Sequence, residues 1–165
     1  GTLKVGDELE IRPGAKVHEK WMPLFTRATE MIRSNQKSKD VSPGGLAAIQ
    51  TDLDPSLSRG DGLVGSVIGL KGQTPPTLDE IKLEVKLFDY VIGVAGQQKI
   101  NPIKTGDVLM LTVAIAKTVG VIVSAGKGIV HIKLKLPICA EKGEKAAMSM
   151  QVGGRWHLIG YGTLI

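Results

Sequence analysis

From Leu78 to Phe88, apolar and charged positions alternate. Ile81, Leu83, Val85 and Leu87 fall on one face, and Lys82, Glu84 and Lys86 on the other. This predicts a strand with one dry face and one wet face. Glu8 to Ile11 repeats the pattern, with Leu9 and Ile11 opposite two glutamates, and Arg12-Pro13-Gly14 is expected to stop that strand. Val108 to Ile115 is a nearly continuous apolar run and predicts a buried strand. Leu46–Thr51, Leu63–Leu70, Val119–Ser124, Ile129–Leu136, Lys145–Met150, His157–Gly160 and Tyr161–Ile165 add further strands. Trp21 to Asn35 reads two ways: Leu24, Ala28, Met31 and Ile32 recur at helical spacing, while Phe25 to Thr29 suits a strand.

Turn chemistry separates these runs. Val5-Gly6-Asp7, Pro43-Gly44-Gly45, Asp52 to Asp61 and Thr105-Gly106-Asp107 are all turn signals. Ser34 to Asp40 is polar and predicts a loop or a disordered tip. Gly93 to Lys104 predicts a second loop. Lys71 to Thr77 holds a glycine and two prolines between two strands, and reads as a domain boundary. The expected division is residues 1–71, a linker at 72–77, and residues 78–165. The last stretch carries six or seven predicted strands, which suggests a small antiparallel barrel. No three-turn helix and no fixed-period repeat is apparent, so the fold class is all-β.

Composition sharpens this picture. Aromatic residues make up only 4% of the 165, so the core must come from Val, Ile, Leu and Ala. The 21 glycines favour many tight turns. Net charge is +5, unevenly spread: residues 1–71 carry 10 basic and 9 acidic groups, and residues 72–165 carry 11 and 7. The surplus in the second stretch suits a phosphate backbone, or simply a soluble surface. A single cysteine, Cys139, excludes an internal disulfide and fits a reducing, cytoplasmic setting. No window approaches the roughly 18 apolar residues of a membrane-spanning helix. The chain opens at Gly1, not Met, and reads as a piece of something longer.

Candidate chemistry is sparse. The nearest approach to a nucleotide-binding loop is Gly120 to Gly128, but its spacer is one residue too long and Gly128 replaces the hydroxyl that would hold magnesium. It is read as a hairpin turn. His18, His131 and His157 lie far from one another and from Cys139, so no metal site is expected. The acidic residues sit in turns or on wet strand faces, without the paired arrangement that acid–base catalysis requires. No catalytic residue is assigned. Arg59-Gly60-Asp61 looks like an adhesion triplet and is read as turn chemistry. Lys133 and Lys135 share a strand face, and Arg155 and His157 flank Trp156. A cation beside an aromatic can touch phosphate and stack on a base. Alternatively, Trp156 plugs a barrel end and Arg155 is merely solvated.

Four stretches together resemble a known family. They are LKVGDELEIRPG, PGGLAAIQTDLDPSLSRGDGLVGSVIGL, KTGDVLMLTV and IKLKLPICAEKGEKAAMSMQVGGRWHLIGYGTLI. In this order they are similar to the gamma subunit of eukaryotic and archaeal translation initiation factor 2. The resemblance implies two small antiparallel β-barrels of the translation-factor type. Residues 1 to about 71 would be most of the second domain, lacking its initial strands. Residues from about 76 would be the third domain. It also implies a strand at Trp21–Asn35. The GTP-binding domain, with its GTP and magnesium, would be absent, leaving no cofactor in this chain.

The implied role is non-catalytic: helping to bind initiator methionyl-tRNA and the alpha subunit for delivery to the small ribosomal subunit, with no membrane partner. The resemblance places Gly44, Gly45 and Arg59 on a tRNA or partner surface, and Lys133, Lys135 and Arg155 join them as basic candidates. The chain departs from the family where Ala48-Ile49-Gln50-Thr51 replaces Gly-Val-Gly-Thr, where Met150-Gln151 replaces paired arginines, and where His157 replaces arginine. Fewer cations would weaken an electrostatic RNA contact. Two other readings stay open: the barrels of a selenocysteine-specific or Tu-like elongation factor, and a purely structural interaction module.

Overall fold

A computed structural model of the chain describes residues 1–165 except Pro43, Ala95 and Gln97. The Pro43 part of the predicted turn, and two positions of the predicted Gly93–Lys104 loop, therefore lie outside the described residues. The strands are β1 (Leu3–Lys4), β2 (Glu8–Val17), β3 (Lys20–Arg33), β4 (Gln36–Ser38), β5 (Asp40–Val41), β6 (Ala47–Thr51) and β7 (Val67–Leu70). They continue with β8 (Thr77–Leu87), β9 (Val108–Val113), β10 (Ala116–Gly126), β11 (Ile129–Cys139), β12 (Lys145–Val152) and β13 (Arg155–Leu164). The helix among the described residues is a short 3-10 segment, Pro55–Asp61. The chain is all-β and falls into two compact units, Gly1–Pro75 and Pro76–Ile165.

The first unit is an open sheet. Its strand order is β4-β3-β2-β7, with β6 also on β3 and a small separate β1-β5 ladder. Leu9, Ala28, Met31 and Val41 form its buried apolar cluster, with Leu3 and Ile49 packed against them, and Ile11 is buried as well. The second unit is a closed six-stranded barrel, β10-β11-β8-β13-β12-β9, and every pairing is antiparallel. Ile81 and Leu83 of β8, Leu109, Leu111 and Val113 of β9, and Met148 of β12 fill its interior. The alternation at 78–88 thus reports a strand with its leucine and isoleucine side inside.

Four local expectations need correction. β2 does not stop at Arg12-Pro13-Gly14; pairing with β3 lapses between Ile11 and Ala15 and then resumes to Val17. Proline has no N–H to donate, and a lapse in the ladder is where its absence matters least. Ser34 to Asp40 is ordered, because Ser34 and Asn35 both adopt positive φ (50° and 60°) and close a two-residue hairpin from β3 into β4. The strand predicted over Leu63–Leu70 begins only at Val67. Turn bonds from Val64 N–H to the Asp61 carbonyl and from Ser66 N–H to the Leu63 carbonyl occupy its first half. β11 passes through Pro137 to Cys139, with a register shift between Lys133 and Ile138. The ambiguous Trp21–Asn35 stretch is a strand: Ala28 and Met31 are buried while Arg27 and Thr29 between them are exposed.

Candidate nucleic-acid interface

The outer surface of the closed barrel follows from strand parity. Ile81 and Leu83 point inward, so Glu80, Lys82, Glu84 and Lys86 point outward. On the neighbouring β11, Val130, Ile132 and Leu134 are buried, which turns His131, Lys133 and Lys135 outward. Register sets His131 opposite Lys82 and Lys133 opposite Glu80. The Glu80 carboxylate then bonds His131 Nε2 at 3.0 Å and lies 3.9 Å from Lys133 Nζ. One acid therefore faces two of the basic groups. Lys135 is exposed and has no ion-pair or hydrogen-bond partner among the described residues.

Arg155 is elsewhere on the barrel. It opens β13 opposite Val152 of β12, directly after the Gly153-Gly154 turn. Lys133 is level with Glu80 of β8, whereas Gly160 is level with Leu87, and Arg155 lies five residues beyond that. Glu80 to Leu87 alone spans seven residues, about 23 Å at a rise of ~3.3 Å per residue. The lysine pair and Arg155 are thus at opposite ends and do not form one patch. Trp156 does not plug the barrel: it lies opposite outward-facing Gln151 and is 37% exposed. His157 is occupied, its Nδ1 donating to the Ile92 carbonyl at 3.1 Å.

In the first unit, Gly44 and Gly45 adopt φ of 102° and 77°, which strongly favours glycine. The end of β3 holds this turn: Arg33 Nη2 donates to the Gly44 carbonyl at 2.9 Å. Leu46 beside it is 91% exposed. Arg59 lies in the 3-10 segment, at a break where its φ and ψ are −66° and 146°. That segment starts from Asp54, whose carboxylate accepts the Ser56 N–H at 2.8 Å. This bond holds the Asp54 pKa below its ordinary value. No hydrogen bond or ion pair among the described residues joins Arg59 to Gly44 or Gly45. Arg59, like Arg155, has an exposed side chain without a carboxylate partner among those residues.

Sequence reading passed over two constellations. Buried Glu10 on β2 takes Arg12 Nε at 2.7 Å, the Gly72 N–H at 2.9 Å and the Thr74 hydroxyl at 2.8 Å. Burial raises its pKa, but the bonds from Gly72, Thr74 and Arg12 outweigh that and leave it lowered. Its role is to latch residues 72–74 onto β2. Glu10 simply looked like the second wet-face glutamate of an alternating strand. The second constellation is Lys86, Tyr161 and Lys145, adjacent on the outer barrel surface. The outward lysines of 82–86 were legible, but the register that sets Tyr161 beside Lys86 was not.

Comparison with known proteins adds an independent line. Residues 79–164 match the family model described as Initiation factor eIF2 gamma, C terminal. Translation initiation factor 2 subunit gamma of Methanocaldococcus jannaschii is 49% identical over 168 residues, covering 99% of this chain and 41% of the relative. The same subunit of Methanococcus maripaludis is 47% identical over 169 residues, covering 100% and 41%. That of Thermococcus onnurineus is 45% identical over 168 residues, covering 99% and 41%. The chain thus spans about 41% of the length of these relatives. Among solved structures, a bacterial selenocysteine-specific elongation factor, EF-Sec, superposes with a TM-score of 0.67 at 19% identity, over 99% of this chain and 23% of that one. At that identity the likeness is one of fold.

Proposed function

The chain belongs to the gamma-subunit family of translation initiation factor 2, and on that premise we propose that it is a non-catalytic part of such a subunit. In this reading it helps bind initiator methionyl-tRNA and the alpha subunit for delivery to the small ribosomal subunit, in the cytoplasm. The observation that carries the proposal is the 45–49% identity to gamma subunits along essentially the whole chain. The geometry is compatible with it. Arg59, Lys135 and Arg155 are exposed cations without protein partners among the described residues, available for phosphate oxygens. GTP and magnesium belong, in this reading, to the part of the relatives that the chain does not span. Lys127-Gly128 closes the β10–β11 hairpin and offers no phosphate cradle.

The first test is a calorimetric titration of the 165-residue chain with the C-terminal domain of an initiation factor 2 alpha subunit. Saturable one-to-one heat is expected. No heat from a chain that circular dichroism shows to be folded would overturn the alpha-subunit half of the proposal. Filter binding of initiator tRNA across a salt series tests the other half. Affinity should fall as salt rises, and Arg59→Gln should flatten that slope by about 0.7–0.9 if its contact is to phosphate. A salt-independent signal, or a preference for elongator tRNA, would overturn the tRNA half.

A further inference from the structure

The outer face of the β8–β13–β12 ladder carries lysines and aromatic rings in one stripe. Ala146 and Met148 of β12 are fully buried, so Lys145 and Ala147 face outward, and so does Tyr161, the partner of Ala147. Met150 and Val152 pack on the core, which turns Gln151 and its partner Trp156 to the same outer face. On the other side of β13, Tyr161 is level with Lys86. Lys145 Nζ lies 5.5 Å from the Tyr161 ring centre, and the Phe88 ring lies 6.5 Å from it. Trp156 and Phe88 are each 37% exposed.

A close backbone approach fixes this arrangement. A Cβ on Gly160 would lie 2.3 Å from the Lys86 carbonyl oxygen, so only glycine lets β13 seat against β8 there. The next residue is Tyr161, which is thereby set beside Lys86. What sets this stripe apart is that its unpaired lysines lie beside aromatic rings, since other exposed cations such as Lys135 also lack a carboxylate partner among the described residues. Lys16, Lys37, Lys71 and Lys133 each face a carboxylate within 4 Å. Lys86 and Lys145 have no such partner among the described residues, and Lys145 rests on a ring instead. Two uncompensated cations on the same outer surface as partly exposed aromatic residues match the two parts of an unpaired nucleotide, a phosphate and a base.

We propose that this stripe is a binding site for single-stranded RNA, with Lys86 and Lys145 holding phosphates and Trp156 and Phe88 stacking bases. The inference goes beyond tRNA and alpha-subunit binding and does not depend on either. A duplex would leave the rings idle, because its bases are already stacked, so the rings favour an unpaired strand.

The test uses the full chain and a fluorescein-labelled oligouridine of about 12 nucleotides, within the roughly 4–16 nucleotide sites of single-strand binders. Anisotropy is measured from low to moderate salt. Lys86→Gln with Lys145→Gln should lower affinity and flatten the log–log salt slope by about 1.4, at ~0.7 per phosphate. Trp156→Ala should weaken binding roughly 5- to 150-fold, the range of one lost stacking contact, and leave the slope unchanged. Lys37→Gln, already paired with Glu30, serves as the control with unchanged affinity. In a Trp21→Phe background, oligouridine should quench the fluorescence of Trp156. No binding by the folded chain, or binding indifferent to both the lysine pair and Trp156, would overturn the proposal. So would tighter binding of a duplex without quenching. Because initiator tRNA and the alpha subunit are absent, either outcome leaves the family-based reading to its own tests.

Discussion

A buried carboxylate with three sets of donors is a committed charge, and Glu10 is the clearest case in this chain. Its oxygens take Arg12, the Gly72 N–H and the Thr74 hydroxyl, and those bonds hold its pKa below 4.5 despite burial. Asp52 is lowered as well, chiefly by the Thr26 hydroxyl and then by the Arg27 N–H. A carboxylate lowered in the folded state contributes stability that is present above its unfolded pKa and lost as pH falls through its folded pKa. The first unit should therefore lose stability progressively below about pH 4.5, the ordinary value for Glu10. Glu10→Gln should remove part of that acid sensitivity and destabilise the unit at pH 7 by about 1–3 kcal/mol, since a charged acceptor is replaced by a neutral one. Urea melts followed through Trp21 in a Trp156→Phe background would report this. Equal pH dependence in Glu10→Gln and the parent would show that the latch contributes nothing.

At the level of elements, Gly160 makes the sharpest demand. With the Lys86 carbonyl 2.3 Å from where a Cβ would stand, Gly160→Ala must push β13 away from β8. Overpacking of this kind costs typically 1–3 kcal/mol, occasionally more, and backbone is harder to move than a side chain. A loss of about 3 kcal/mol in denaturant melts of the second unit is the expected outcome, and a loss below about 0.5 kcal/mol would contradict the geometry. The sequence announced that strand only as two fragments, His157–Gly160 and Tyr161–Ile165, because glycines read as breaks. Where burial is one-sided, as in β8, alternation was enough to predict strand and face, with Ile81 and Leu83 buried as expected, Val85 half-buried and Leu87 exposed near the strand end. Where a strand contains a bulge, as β2 does at Pro13 and Gly14, local turn chemistry mimics a strand end. The same limit applies to the candidate interface. That Lys133 and Lys135 share a face was legible from parity, but their separation from Arg155 and the pairing of Lys133 with Glu80 depend on register across strands. Single-strand patterning carries no register information.

Across the whole molecule, closure distinguishes the two units. In the second, each strand has two neighbours, so its ladder is protected on both sides, and a continuous set of buried residues from Ile81 to Leu164 fills the interior. The first unit is an open sheet whose β7 is bonded to β2 and whose far side ends at β4 and β6. Its main buried cluster is four residues, and β1 and β5 make only a two-residue ladder. Open edges exchange amide hydrogens through local opening, and a small core gives little free energy against wider opening. Hydrogen exchange should therefore show β9, β10 and β12 as the slowest segments, with β4, β6 and β7 exchanging far sooner. The charge surplus does not alter this ranking, because the exposed lysines act on solvent and partners, whereas exchange from a closed ladder requires breaking the barrel. If a partner strand or a second copy covers β7, its amides should slow selectively and in a concentration-dependent way. Equal protection of both units at a concentration where the chain is monomeric would contradict the argument from closure.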